Sequence, residues 1–367
     1  MSNYKLRYSD YPGTDTGPPD PERWIGPPGP PGPPGPEGDI GPPGLPGGGG
    51  IYLNVLDFGA DPTGGTDSSS AINTAAALVG SNGRHGVVYL PTGTYRVNHQ
   101  IVLTGPQGLI GDTRGSSDIY IDDQLDHAAT SVILCRAAGD AGPVIRDIGI
   151  TFAQPPDQGS RANFRTLAAG GTSGPGGTGV KYPWAIAAGD DSFRIQIIRV
   201  RIANAWDGIT SNGHNAVFWL EDIEMGAFDC GLSLGEGTGI LDFCHLSQYH
   251  FWNFGMNSTM PLFNVFYDGQ TIAMRCGEVD GLDARGINSF AGRIVFTAES
   301  VRGWFYITNL ALDGAQATLE VANAFFLLIT NMYSTSDNTG TRPRITVNNG
   351  KVKIVNYFGY TSSFFPL

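Results

Sequence analysis

Three glycine-led polar pairs recur at even spacing: Gly189-Asp190-Asp191, Gly213-His214 and Gly235-Glu236, separated by 24 and 22 residues. Each stands just before an alternating apolar stretch, so the three occupy equivalent places if those stretches stack. Asp190, Asp191, His214 and Glu236 would then lie on neighbouring repeats. Glycosidic cleavage needs one carboxyl kept protonated and another ionised, and crowding of acids separates their pKa values in that way. The plainer expectation for the same residues is a column of solvated turn polars.

A second chemistry is sugar binding, because aromatic faces stack on sugar rings. Trp206, Tyr249, Trp252 and Trp304 come from successive repeats and are the glycan-binding candidates. Trp219 alternates with apolar neighbours and is expected in the core. Trp252 is expected in the same turn slot as Phe228. On exposed strand faces the spacing sets Arg199 against Asp222, and Arg201 against Glu224 and then His245. Opposite charges one strand apart give a ladder of weak ion pairs.

The elements that position these residues are repeats. Two mainly apolar residues, then Asp or Asn, then usually another apolar residue appear as IRDI (145–148), LEDI (220–223), LDFC (241–244) and LFNV (262–265). The series continues as GINS (286–289), ITNL (307–310), ITNM (329–332) and IVNY (354–357), and IIRV (197–200) carries Arg199 in the polar slot. From Arg199 onward the third position steps by 21 to 25 residues. Gly208-Ile209, Gly231-Leu232 and Gly255-Met256 keep the same phase. Short repeats rich in strand signal imply the coils of a parallel β-helix, an all-β solenoid. Asn264, Asn288, Asn309, Asn331 and Asn356 are expected to form an amide ladder across one turn. The 40-residue stretch 153–192 is too long for a turn and is expected to edge a groove or touch a neighbouring chain.

The first fifty residues have another composition. Fourteen of the 25 prolines lie between Pro12 and Pro46, and Gly26, Gly29, Gly32, Gly35, Gly38, Gly41 and Gly44 open seven unbroken triplets. Glycine at strict period three is what the crowded axis of a collagen triple helix requires. The expected organisation is an anchor peptide at 1–25, which orders only when docked on something larger, then a collagen-like triple helix at 26–46. A glycine joint at 47–50, a leading, capping module at 51–97 and a β-helix at 98–367 complete it. Three strands in the triple helix imply a homotrimer.

Bulk properties exclude several classes. A net charge of −12 and a pI near 4.8 argue against gripping nucleic acid or anionic lipid. No apolar run reaches a membrane span, and no apolar leader of a signal peptide is present. Cys135, Cys230, Cys244 and Cys276 lack metal-site spacing, so buried lone thiols are expected, with no metal and no cofactor.

The module VLDFGADPTGGTDSSSAINTAAALV (55–79), followed by GVVYLPTGTYRV (86–97), carries one helical stretch, Ala71 to Val79, with serines 68–70 as capping candidates. Through Asp57-Phe58-Gly59-Ala60, Thr66-Asp67, Ala71-Ile72, Val88 to Pro91, Gly93 and Tyr95 it closely resembles the leading module of the pectate-lyase-like β-helix superfamily. That resemblance implies a right-handed coil, and the same module occurs in trimeric tail spikes and tail fibres of bacteriophages. The Asp-Asp then Gly-His spacing is similar to part of the polygalacturonase site on that fold, without its Asn-Thr-Asp or Arg-x-Lys motifs. The function this resemblance implies is a virion fibre or short spike, docked through residues 1–25 on a virion tail or capsid protein, that meets host surface glycans. The alternatives are a polysaccharide depolymerase and a non-catalytic decoration, head fibre or adaptor.

Overall fold

The computed structural model describes residues 51–80, 86–136, 141–154, 180–189, 192–236, 241–252, 270–297, 303–314, 317–335 and 344–360. The anchor peptide, the Gly-x-y triplets, the glycine joint, Asp190, Asp191 and most of the 153–192 stretch lie outside these residues.

Among the described residues, twenty-two strands form one hydrogen-bonded sheet whose neighbours run parallel, strands pairing with their counterparts in adjacent coils. That is the connectivity of a parallel β-helix. Three ladders run along it. The first contains Ile51–Asn54, Gly86–Leu90, Gln107–Gly111 and Val144–Arg146, then the opening parts of Ser192–Thr210, Ala216–Leu234, Phe243–Phe251, Gly281–Phe290, Trp304–Asp313, Phe326–Thr335 and Val352–Tyr360. The second uses Gly93–Arg96, Ser117–Ile121, Gly149–Phe152 and the continuations of those longer strands. The third passes through Ile101–Thr104, Ser131–Arg136, Trp184–Ala188, Ile272–Cys276, Arg293–Phe296, Leu319–Val321 and Ile345–Val347.

Alternation decides what is inside. Val88, Leu109, Ile145, Ile197, Leu220, Leu246, Ala284, Ile307 and Ile329 stand in register on successive rungs, and all are buried. Each full-sized member contributes roughly 1.5–3 kcal/mol of apolar burial. Rungs stack about 4.8 Å apart, so such columns form a continuous core. All four cysteines are buried, as their spacing led us to expect.

The chain turns from the first ladder to the second through one left-handed residue per coil. Asp147, Arg199, Asp222, Gln248, Gly286, Asn309, Asn331 and Asn356 hold that slot, with φ between 51° and 69°. Gly and short polar residues tolerate this conformation best, which is why Asp and Asn mark the repeat. Two phases differ from the sequence reading. Phe243 pairs with Val217 as the first residue of its strand, and the slot of that coil belongs to Gln248. Asn288 pairs with His250 and Ala311 on the second ladder, while Gly286 makes the turn. Strand Phe243–Phe251 pairs directly with Gly281–Phe290, and LFNV (262–265), with Asn264, lies outside the described residues. Likewise Leu232 pairs onward with Met274, and Gly255-Met256 lies outside the described residues.

Among the described residues the asparagine ladder joins Asn309, Asn331 and Asn356. Asn331 donates its side-chain amide to Asn309 Oδ1 at 3.0 Å, and Asn356 donates to Asn331 Oδ1 at 2.9 Å.

Helix α1 (Ser69–Gly80) closes the first coil. Ile72, Ala75, Ala76 and Val79 share one face and are buried, the face packing on Gly86–Leu90 and Ile101–Thr104. The cap is not a serine. Asp67 Oδ1 accepts the Ser69 N–H at 3.0 Å and the Asn98 N–H at 3.0 Å, while the Ser68 hydroxyl accepts the Asp61 N–H. Burial pushes the Asp67 carboxyl up, but the bonds from Ser69 and Asn98 outweigh it and hold its pKa low. Gly59, with φ +86°, ends the preceding 3-10 turn Val55–Phe58, which explains the glycine of the Asp-Phe-Gly-Ala signature.

Candidate functional site

The outward row of the second ladder is charged. Asp118, Gly149, Arg201, Glu224, His250 and Asn288 occupy one register position on successive rungs. Gly149 makes room within the row: a Cβ there would lie 2.4 Å from Asp118 Oδ1. The Thr151 hydroxyl donates to the same oxygen at 2.9 Å. Burial pushes the Asp118 pKa up to about 6, and the Thr151 bond and the Arg201 charge only moderate the rise.

Next along the row, Arg201 Nε donates to Glu224 Oε2 at 2.8 Å. Arg114 reaches across to Glu224 Oε1 at 3.0 Å and to Asp222 Oδ1 at 2.7 Å. Glu224 is thus gripped by two guanidinium groups. Two residues past His250, Trp252 keeps 42% exposure and stacks on Phe290 with ring centroids 4.0 Å apart. Planar hydrogen-bonding groups beside an aromatic plane are the chemistry that fits sugar hydroxyls and ring faces.

The expected Arg201–Glu224 pair is present, and two other pairings differ. Arg199 bonds Asp147 through Nε and Nη2, at 2.5 and 2.8 Å, so Asp222 is left to Arg114. His250 follows Glu224, whereas His245 sits on the first ladder.

The aromatic candidates divide. Trp206 is 1% exposed, with Lys181 Nζ 5.2 Å from the ring centre. Tyr249 is fully buried in the column between Ile223 and Ile287, and its hydroxyl donates to the Ala273 carbonyl at 2.6 Å. Neither ring face is open to a sugar, because register turns both residues inward. Trp219 is the reverse case: it points outward at 42% exposure and stacks on His245 at 4.0 Å. Trp304 is 49% exposed. Trp252 follows the Met225–Phe251 pair directly and does not share the slot of Phe228.

The turns of His214 and Glu236 do stack. Ser211 donates its N–H to the Ser233 carbonyl, and its hydroxyl accepts the Gly235 N–H at 2.8 Å. Glu236 accepts from Arg275 Nη1 at 3.0 Å, and the His214 N–H closes its own turn on the Ser211 carbonyl. Close by is an acid that sequence reading missed. Asp207 stands in register with Cys230, and burial pushes its pKa up to about 8. The Asp229 charge adds to the rise, while Lys181, the Cys230 N–H and Arg275 oppose it. The signal was there: Ala205-Trp206-Asp207 and Ala227-Phe228-Asp229 repeat at 22 residues. Among the described residues no group of three or more His, Cys, Asp or Glu could hold a metal ion.

Comparison with known proteins adds the following. No curated protein matches the sequence. Among solved structures, similar chains include ORF18 of Geobacillus virus E2, with 12% identity over 85% of this chain and 62% of that one, at a TM-score of 0.41. The phiAB6 tailspike, solved with oligosaccharides of Acinetobacter baumannii surface polysaccharide, has 16% identity over 84% and 47%, at a TM-score of 0.43. An N-terminal fragment of bacteriophage phi29 gene product 12 has 12% identity over 83% and 43%, at a TM-score of 0.36. The chain thus spans less than two thirds of the length of these proteins. Residues 52–234 match the family described as rhamnogalacturonase A/epimerase, pectate lyase-like. Over residues 52–234 this chain is thus similar to a pectate-lyase-like domain.

Proposed function

We propose that the protein is a trimeric fibre or short spike of a bacteriophage virion that attaches to a host surface glycan. The observation that carries the glycan reading is the row Arg201, Glu224, His250 and Asn288 beside the Trp252–Phe290 stack. Rungs about 4.8 Å apart present one such side chain per step, a pitch close to the length of a sugar ring. The trimer and the virion setting rest on the sequence: seven Gly-x-y triplets for three chains, a peptide at 1–25 as the anchor, and the leading module shared with tail spikes and tail fibres. Three copies give avidity to a weak single site.

A second reading, cleavage of the same glycan, is favoured by one observation. Burial, with the neighbouring Asp229 charge, pushes the Asp207 pKa up to about 8 and keeps a proton on this carboxyl, as acid catalysis requires. His214 and Glu236 border that reading on two stacked turns, and Asp190 and Asp191 join it by their sequence spacing alone. One experiment separates the two. The full chain is titrated with purified host surface polysaccharide while reducing and unsaturated ends are assayed. Binding without new ends supports attachment alone; new ends that vanish in Asp207→Asn support cleavage. Absence of binding to any envelope glycan of the host overturns both and leaves a structural decoration or adaptor.

A further inference from the structure

We infer that the second-ladder row selects an uncharged polysaccharide, and that Asp222 and Glu224 are the residues that turn acidic sugars away. The inference rests on the glycan reading above and adds the class of glycan and the side chains that set it. An acidic sugar is held best by a guanidinium whose fork is open to its carboxylate, phosphate or sulfate group. Along the corner where the first ladder meets the second, these guanidinium groups are already matched. Arg201 Nε donates to Glu224 Oε2 at 2.8 Å, and Arg114 reaches Glu224 Oε1 at 3.0 Å and Asp222 Oδ1 at 2.7 Å. Arg146 and Arg199 both close on Asp147, at 3.1 and 2.5 Å. The matching is built into the fold. Arg114 lies in the turn between Gln107–Gly111 and Ser117–Ile121, 108 residues before Asp222. Its loop lies down along the corner because Gly149 is there: a Cβ on Gly149 would come within 3.0 Å of the Arg114 carbonyl.

Charge then decides the class. The carboxyls of Asp118, Asp222 and Glu224 stand against the guanidiniums of Arg114 and Arg201, an excess of acid over base. Asp313, on the same face in register with Phe290, adds another carboxylate, which accepts the Thr335 hydroxyl. The chain as a whole carries −12. A polyanionic glycan is therefore repelled at a distance, and at the surface it must displace Glu224 from two guanidinium groups. That displacement would strand a carboxylate whose side chain is only 17% exposed. An uncharged chain meets neither obstacle. Each carboxylate oxygen accepts two hydrogen bonds, so Glu224 Oε1 and Oε2 keep room for sugar hydroxyls beside their guanidinium partners.

The test uses the full chain and purified host surface polysaccharide prepared in two charge forms. One form is oxidised at its primary hydroxyls to uronates; in the other, carboxyl groups are reduced to alcohols. Binding of each is measured at neutral pH in about 50 and about 500 mM NaCl. The reduced form is expected to bind at least about tenfold more tightly than the oxidised form at low salt, with less than about twofold change at high salt. Glu224→Gln releases Arg114 and Arg201 from their shared carboxylate. The oxidised form should then gain affinity several-fold at low salt, while the reduced form loses it. Asp222→Asn, which keeps a residue suited to φ 53°, should show the same gain for the oxidised form. Equal or tighter binding of the oxidised form by the native chain overturns the inference and leaves the glycan reading standing. So does the absence of any gain in both variants. Binding of neither form overturns the glycan reading, and this inference with it.

Discussion

The first and second ladders are built from the same strands, share one core and differ only in what they show to the outside. Inward, both present mainly Ile, Leu, Val and Met, with Tyr249 and Phe251 on one rung of the second. Outward, the first carries Trp219, Phe243, Trp304 and Tyr306, and the second carries Asp118, Arg201, Glu224 and His250. Because side chains alternate at period two, the inner residues fix the coil while the outer ones are free to specialise. The fold thus leaves function to the outward columns, and the contrast between them is what a mutation can break.

The largest effect is expected where both faces share support. Ile197→Ala, in the common column, should lower unfolding free energy by about 2–5 kcal/mol in chemical denaturation. Next comes a change confined to the charged face. The folded protein holds the Asp118 proton more tightly than the unfolded chain does, so stability is lost as pH rises from the ordinary carboxylate range through about 6. Asp118→Asn removes that loss. Its advantage over the native chain should be near zero at pH 4 and reach at most about 3 kcal/mol at pH 7.5. At the seam between the ladders, Asn331→Ala puts alanine, which tolerates the left-handed region less well than asparagine, at φ 59° and cuts both links of the amide ladder. A loss of about 1–2 kcal/mol is expected in the same denaturation assay. The smallest stability change should come from Glu224→Gln, below about 1 kcal/mol because its arginine pairs are partly exposed. Polysaccharide binding should nevertheless weaken in that variant, which separates recognition from folding.

How much was legible followed the strength of local constraint. The parallel coil could be read because the left-handed slot selects Asp and Asn, and because Ile209 and Leu232 keep one phase. Where the slot accepts Gln248 or Gly286, that signature disappears, and neighbouring Asp242 and Asn288 imitate it out of phase. Helix α1 was visible from its apolar spacing, yet its cap was not, since Asp67 and three serines are equally plausible hydroxyl or carboxyl donors of that role. Aromatic residues were the least legible. Trp206 and Trp219 belong to similar apolar surroundings, and only the true register puts one inside and the other outside. The charged row was half seen: Arg201 and Glu224 were paired correctly, but Asp118 joins them from 83 residues earlier across Gly149, a contact that only stacking creates.

The division of labour between the two faces is tested most directly by glycan affinity in paired single variants of the full-length protein. His250→Ala, on the charged face, should bind host polysaccharide at least about tenfold more weakly, the loss of roughly 1.4 kcal/mol, with its mass unchanged. Lys353→Ala, an exposed first-ladder residue away from that row, should bind as the native chain does. Undiminished binding by His250→Ala, or an equal loss in Lys353→Ala, would contradict the assignment of recognition to the second ladder.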